Sequence, residues 1–275
     1  MNSWHAGDVE ANWVRLHYTR TGGEKPPLVL AHGVTDDGRC WTPVAEALAP
    51  DYDVVMVDAR GHGCSDAPEG GYDPATQAAD LDGLIAALGL RRPAVLGHSM
   101  GAATALVLAG TFPDTLGAIL LEDPPAWWLE QPDTPDWAAF LERRRRQLFE
   151  RKCQGRDELV VERRAESPHW TEAELVPWAE AKLRVSLHVL EVLDPRMPAR
   201  VDWAVLRRIA CPALLITADP ARGGIVTAEA TAALRGLVPH VRVAHVSEAG
   251  HNIHRDQFAR YLEVVRAFLA EQPAP

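Results

Sequence analysis

Residues 93–112 read PAVLGHSMGAATALVLAGTF, and the fold class can be inferred by working outward from them. A short apolar run, PAVLG, leads directly into the pattern Gly-x-Ser-x-Gly, whose serine is Ser99. Small and apolar residues follow, as expected for a helix that packs closely on a sheet. A serine at a sharp turn between a strand and a helix is exposed in a cleft, and free N–H groups at the helix N-terminus stabilise developing negative charge. The pattern therefore predicts that Ser99 is a nucleophile.

Short apolar runs alternate with helical patterns on both sides of this stretch. The runs are WVRLHYT, PLVLA, DVVMVD, GAILLE, PALLITA and VRVAHV, at residues 13–19, 27–31, 53–58, 117–122, 212–218 and 241–246. Most are apolar on both faces, which is typical of strands that helices cover on both sides. The alternation predicts an α/β fold with a mostly parallel sheet, whose functional groups lie at the carboxyl ends of the strands.

A helix-rich segment interrupts the alternation. We predict that residues 1–124 and 201–275 form the core and that residues 125–200 form a helical cap over the active end of the sheet. Five of the nine tryptophans fall in the cap segment, and aromatic walls are common in ligand pockets. The candidates for a substrate-binding wall are Trp127, Trp128 and Trp178. The alternative is that these rings only pack the cap onto the core.

A serine hydroxyl needs a base, and His251 is the candidate. It follows the run at 241–246, so it is expected at the same sheet edge as Ser99. The other histidines lie in helices, loops or strands, or, like His98, inside the serine turn itself. A metal pair of His251 and His254 would lack a third ligand, so we predict no metal site.

The histidine needs an orienting carboxylate, and two strand ends offer one. Asp219 follows the run at 212–218 and gives the chain order Ser, Asp, His that is typical of this serine turn. Asp123 follows the run at 117–122 and could also reach the histidine. We favour Asp219 and keep Asp123 as the alternative.

A second oxyanion donor is expected in the turn after an earlier strand. The residues His32-Gly33-Val34 follow the run at 27–31, and the Val34 N–H would join that of Met100 in the oxyanion hole. Asp36 follows closely and is a candidate pocket-lining residue. A solvated loop is the alternative for this aspartate.

In combination these motifs resemble the α/β-hydrolase superfamily. The matching residues are His32-Gly33, Asp58-x-Arg60-Gly61-x-Gly63-x-Ser65, Gly97-x-Ser99-x-Gly101, Asp219 and Gly250-His251. The resemblance covers both ends of the chain and leaves out the cap segment. It implies an eight-stranded, mostly parallel sheet, a cap after the sixth strand, a Ser-His-acid triad with the acid after the seventh strand, and no cofactor. Serine at position 99 departs from the dehalogenase and epoxide-hydrolase branches, whose nucleophile is Asp.

Composition excludes several classes of partner. The net charge of −10 disfavours binding to nucleic acid, and no stretch is apolar enough for a membrane helix. The four cysteines lie far apart and lack zinc-type spacing, and the N-terminus lacks a basic segment followed by an apolar run. We expect a cytoplasmic monomer or small homo-oligomer that acts on a small molecule.

The predicted activity is serine hydrolysis of a carboxylic ester or lactone with an apolar body, through an acyl-enzyme intermediate. Within enzymes, the alternatives are amide or peptide cleavage, C–C bond hydrolysis and perhydrolysis by the same triad. Outside hydrolysis, the alternatives are a ligand receptor or a lyase of the same fold.

Overall fold

The computed structural model describes residues 4–129, 136–194, 196 and 201–272. Within these ranges eight strands form one sheet in the order β1-β2-β4-β3-β5-β6-β7-β8. The strands are β1 His5–Ala11, β2 Val14–Arg20, β3 Pro27–Ala31, β4 Asp53–Val57, β5 Ala94–His98, β6 Ala118–Glu122, β7 Ala213–Thr217 and β8 Arg242–His245. β2 pairs antiparallel with β1 and β4, and every other pair is parallel. The predicted eight-stranded, mostly parallel sheet is confirmed.

Helices cover both faces of the sheet. They are α1 Thr42–Leu48, α2 Pro74–Ala87, α3 Met100–Thr111, α4 Trp137–Cys153, α5 Arg156–Glu166, α6 Glu172–Arg184, α7 Ala228–Leu237, α8 Ile253–Asp256 and α9 Phe258–Ala270. Alternate strand residues point to opposite faces: Val29 and Val95 pack with α2 and α3, whereas Leu30 and Leu96 pack with α1 and α9. None of the helices in the described ranges is long and apolar enough to cross a membrane.

Two glycines let α3 approach the sheet closely. A Cβ on Gly97 would lie 2.4 Å from the carbonyl group of Gly101, and a Cβ on Gly101 would lie 2.2 Å from the carbonyl oxygen of Ala31. No side chain fits at such distances. The glycines of the serine motif are therefore required by backbone packing of α3 against β3 and β5.

The chain between β6 and β7 carries α4, α5 and α6, which were expected as a helical cap. α6 packs against α1 and the short helix Gly38–Trp41, so it lies over the loop that follows β3. The N–H of Ser186 donates to the carbonyl of Gly61 at 2.7 Å, which ties the segment after α6 to the loop after β4. The cap boundaries at residues 125 and 200 stay a prediction, because 130–135, 195 and 197–200 lie outside the described residues.

The first strand is a feature that the apolar pattern did not indicate. β1 pairs along its whole length with β2 through a turn in which Asn12 and Trp13 both have positive φ, 47° and 65°. Its residues are mostly exposed or half-buried, because β1 is an edge strand with little apolar alternation. The hairpin lies at the opposite edge of the sheet from β8.

Candidate active site

Ser99 occupies a strained turn between β5 and α3. Its φ of 50° and ψ of −113° are unusual for a residue with a side chain. The Ser99 N–H donates to the carbonyl of Glu122 at 2.9 Å, and the Ser99 carbonyl accepts from Ala102 and Ala103 at 3.1 Å. These bonds hold the strained backbone in place. The predicted strand–turn–helix context of the serine is confirmed.

His251 lies beside this turn and binds a carboxylate. Its Nδ1 is 2.7 Å from Oδ2 of Asp123, and its carbonyl oxygen accepts a hydrogen bond from Nε2 of His98 at 2.9 Å. The rings of His98 and His251 are 4.7 Å apart. Since His98 immediately precedes Ser99, these contacts fix the His251 segment against the serine turn. A proton on Nδ1, donated to Asp123, leaves the lone pair of Nε2 available as a base.

Asp123 is completely buried and accepts hydrogen bonds from several donors. Besides His251, the N–H of Ile225 donates to its carboxylate at 2.9 Å and the N–H of Val226 at 3.1 Å. A backbone φ of 41° at Asp123 turns the chain sharply where β6 ends. The segment between β7 and α7 thus folds back to hold the carboxylate that orients His251.

The prediction that Asp219 orients His251 is wrong. Asp219 instead lies 2.9 Å from Nε2 of His245 and accepts the N–H of Glu248 at 2.7 Å. The Glu248 N–H, with the contact to His245, lowers the pKa of Asp219. The carboxylate braces the loops after β7 and β8, and the alternative that the sequence left open, Asp123, occupies the place beside the histidine.

The residue before Asp123 holds a second histidine. Oε1 of Glu122 accepts the N–H of His254 at 3.0 Å and contacts its Nδ1 at 2.8 Å. Burial opposes ionisation of Glu122, but His254 and His98 outweigh it and lower its pKa to about 2. Two adjacent acids at the end of β6 therefore anchor two histidines three residues apart. Sequence reasoning missed the role of Glu122.

The candidate oxyanion turn spans Gly33 to Asp36, whose N–H donates to the carbonyl of Gly33 at 3.2 Å. A Cβ on Gly33 would lie 3.3 Å from Cβ of Ser99, so this end of the turn lies close to the serine. Val34 and Met100 share one apolar cluster. In the part of the chain that the structure describes, neither of their N–H groups has a hydrogen-bond acceptor. Both N–H groups can therefore accept the role of oxyanion donor, which stays a prediction.

The four candidate substrate-binding residues have different surroundings. Trp127 is half-buried and packs in the same cluster as Val34 and Met100, which suits a pocket wall. Trp128 is a packing residue, which corrects the prediction, because it is buried in the core and its indole N–H donates to Ala230 at 3.0 Å. Trp178 is buried among cap residues and lies 4.4 Å from the guanidinium of Arg163.

Asp36 is buried in an ion-pair network, so the solvated-loop alternative is wrong, and its place in a pocket wall stays a prediction. It is 6% exposed, and its two oxygens are ion-paired with Lys182 and Arg255 at 2.7 and 2.8 Å. The two cations outweigh the effect of burial and hold the pKa of Asp36 well below its usual range. Asp36 therefore joins the oxyanion turn to the cap.

Among the described residues, His17, Asp58 and Cys64 form the one group that could hold a metal ion. The two oxygens of Asp58 already accept the N–H groups of Gly38 and Cys64, at 2.7 and 2.8 Å. Nδ1 of His17 contacts Asp8 at 2.7 Å. These contacts indicate a braced loop, so no metal chemistry is assigned to the group.

The buried imidazole of His98 leads to a pH prediction. Burial lowers its pKa to about 3, whereas a histidine in the unfolded chain has a pKa of about 6.5. Below that value the unfolded state binds the proton and the folded state does not. The free energy of unfolding should therefore fall on acidification, by about 1.4 kcal/mol per pH unit from this residue.

We expect His98→Gln to remove this part of the acid sensitivity, since the glutamine amide still offers a donor to His251. The measurement is urea denaturation from about pH 6 to pH 4. His188→Gln, which removes an exposed imidazole, is the control. An unchanged slope in His98→Gln would show that His98 is not the responsible group.

Comparison with known proteins identifies the same architecture. The family model for the alpha/beta hydrolase fold matches residues 26–160. N-formylmaleamate deformylase of Pseudomonas putida is 32% identical over 271 residues, which cover 96% of each chain. The crystal structure of N-formylmaleamic acid deformylase from Pseudomonas putida S16 has a TM-score of 0.76 at 27% identity, over 95% of this chain and 100% of that one. For E-2-(acetamidomethylene)succinate hydrolase the TM-score is 0.79 at 22% identity, over 97% and 99%, and this likeness concerns the fold alone.

Proposed function

Because the chain belongs to the α/β-hydrolase family, we propose that it is a serine hydrolase with Ser99, His251 and Asp123 as its triad. The observation that carries the proposal is the 2.7 Å contact between Nδ1 of His251 and the buried carboxylate of Asp123. That contact fixes the imidazole tautomer in which Nε2 can accept a proton. The strained turn of Ser99 beside it supplies the nucleophile.

In the proposed reaction, Nε2 of His251 takes the hydroxyl proton of Ser99 as Oγ attacks the substrate carbonyl carbon. The N–H groups of Val34 and Met100 donate to the oxyanion of the tetrahedral intermediate. His251 then returns the proton to the leaving group as the acyl bond breaks. Water, deprotonated by the same histidine, releases the acid and restores Ser99.

The surroundings of the turn favour an acyl compound with an apolar body. Val34 and Met100 pack with apolar residues of the cap segment, among them Trp127, Leu148 and Val189. A carboxylic ester or lactone is the substrate class expected from the sequence. Apolar contacts of this kind bind the body of a substrate and leave its polar groups to the oxyanion donors.

A specific observation favours amide cleavage as the second candidate. The relative that matches 96% of the chain is a deformylase of N-formylmaleamate, whose name specifies removal of a formyl group from nitrogen. The alcohol of an ester departs more easily than the amine of an amide, because the amine nitrogen depends more strongly on protonation by His251. A site that cleaves amides therefore also cleaves activated esters, so the two classes need separate assays.

The experiment is a panel of p-nitrophenyl esters, lactones and N-formyl amides on the purified protein. A fluorophosphonate probe, located by mass spectrometry, tests Ser99 independently of any substrate. Labelling of Ser99 together with acyl turnover supports the proposal, and the ratio of amide to ester kcat/KM selects the class. Labelling without acyl turnover would favour C–C cleavage or a receptor, and absence of labelling would refute a serine nucleophile.

Trp127 and Trp128 form a matched pair for a prediction about substrate size. Trp127→Ala should change kcat/KM for bulky esters more than for p-nitrophenyl acetate, because its half-buried ring packs beside the oxyanion turn. Trp128→Ala should affect both substrates alike and lower the free energy of unfolding by about 3–5 kcal/mol, since its ring is buried. Rate ratios and urea melts of both variants check this. An equal ratio in both would show that Trp127 is only packing.

A further inference from the structure

The turn that carries the Val34 N–H contains a strained residue. Thr35 has a φ of 67°, which a β-branched residue adopts at an energetic cost. Within the turn, the hydrogen bond between Asp36 N–H and the Gly33 carbonyl is 3.2 Å long. The Thr35 N–H reaches Nε2 of His62 at only 3.4 Å. These contacts alone hold the turn weakly, so other groups must fix the direction of the neighbouring Val34 N–H.

The strongest contacts to this turn come from the cap. Nζ of Lys182, on α6, donates to the carbonyl of Thr35 and to Oδ1 of Asp36, both at 2.7 Å. The Lys182 side chain is only 3% exposed, and its ammonium group lies 5.0 Å from the ring of Trp178. A buried ammonium with an ionised partner in a low-dielectric setting binds its acceptors firmly. Lys182 thus holds the carbonyl of the strained residue, whereas His62 contacts its N–H.

The same network reaches the segment of the candidate base. Nη2 of Arg255 donates to Oδ2 of Asp36 at 2.8 Å, and its Nη1 donates to the side chain of Asn252 at 3.2 Å. Asn252 directly follows His251. One buried carboxylate therefore joins the cap, the oxyanion turn and the histidine segment. Asp36 keeps an ionic partner in Arg255 even when Lys182 is replaced.

We infer that Lys182 is a positioning residue for the oxyanion donor of Val34, so that the cap contributes to bond cleavage and not only to substrate choice. The inference rests on the proposed function of Ser99 and Val34. Lys182 acts through the Thr35 peptide and Asp36. Its loss should misdirect the Val34 N–H, and misplacement of a catalytic group by about 1 Å can cost on the order of a hundred-fold in rate.

Lys182→Met removes the ammonium group while keeping most of the side-chain volume. We expect kcat to fall by between about ten- and a hundred-fold for p-nitrophenyl acetate and bulky esters alike, with KM changed much less. Affinity for a boronic acid that forms a tetrahedral adduct on Ser99 should fall by the same factor as kcat/KM, because its oxygen occupies the oxyanion hole. Lys182→Arg, which keeps a buried donor, should recover part of the rate.

Lys152→Met is the matched control. Lys152 is also a cap residue, and its Nζ donates at 2.7 Å to the carbonyls of Leu183 and Val185 and not to a residue of the turn. Lys152→Met therefore removes an ammonium group that binds two backbone carbonyls of the cap and leaves the contacts of the turn unchanged. We expect its kcat to stay within a few-fold of the wild type.

Equal kcat losses in Lys182→Met and Lys152→Met would overturn the inference. Both losses would then be explained by a general decrease in cap stability. A loss confined to KM, or an unchanged boronic acid affinity, would overturn it as well. If Lys182→Met does not fold, Lys182→Gln serves in its place, because its shorter side chain keeps a donor but cannot reach the same acceptors. Failure of the proposed function is recognised separately, by absence of ester turnover and of Ser99 labelling in the wild type.

Discussion

Ser99→Ala is expected to lower kcat for every acyl substrate by on the order of a million-fold, to the level of oxyanion-hole and binding effects alone. The variant lacks the oxygen atom, Oγ, that attacks the substrate carbonyl in the proposed reaction. Its fold should be retained, because the strained turn is held by backbone hydrogen bonds to Glu122, Ala102 and Ala103. Active-site titration and steady-state kinetics on the purified variant measure the loss.

Ser186→Ala is the control for this experiment, since it removes a serine hydroxyl that accepts the N–H of His188 in the cap segment. It should keep near wild-type kcat. Turnover of more than a few per cent in Ser99→Ala, with contamination excluded by mass spectrometry, would mean that another group attacks the substrate.

The second large effect is expected at Asp123. Asp123→Asn should lower kcat by about ten-thousand-fold, because an amide favours the wrong imidazole tautomer of His251. It also places an NH₂ group near the N–H groups of Ile225 and Val226, where the carboxylate accepts hydrogen bonds. The fold and the position of Ser99 should be little changed. We therefore expect a loss of kcat without a change in the circular dichroism spectrum.

Asp219→Asn provides the matched comparison, because it makes the same chemical change at the end of the next strand. In the wild type the Asp219 carboxylate contacts His245 and the Glu248 N–H, so we expect the variant to keep kcat within a few-fold of the wild type. A greater loss in Asp219→Asn than in Asp123→Asn would show that the triad acid lies after β7 in the working enzyme.

Ser99 and His251 could be proposed from the sequence for a local reason. Ser99 directly follows β5, His251 lies in the loop after β8, and the ends of parallel strands meet at one edge of the sheet. The glycines around Ser99 are required by close backbone contacts of α3 with the neighbouring strands. Such information is contained in a short window of residues.

The acid could not be identified in this way, because Asp123 and Asp219 follow neighbouring strands, β6 and β7, at the same sheet edge. The choice depends on which carboxylate receives the N–H groups of Ile225 and Val226, and on the positive φ at Asp123. Those are tertiary features with no local pattern. The hydrogen bond from Lys182 to the Thr35 carbonyl could not be predicted for the same reason, since it joins residues 147 positions apart.

The anchoring of His251 has a consequence for the order in which the molecule matures. Its contact with Asp123 spans 128 residues, and its contact with His98 spans 153. Long-range contacts of this kind form late in folding, because loop closure must precede them. During synthesis the serine turn leaves the ribosome well before the segment after β8. A nascent chain therefore displays Ser99 without His251, and under the proposed mechanism we expect hydrolysis only after the last segment has docked on β6.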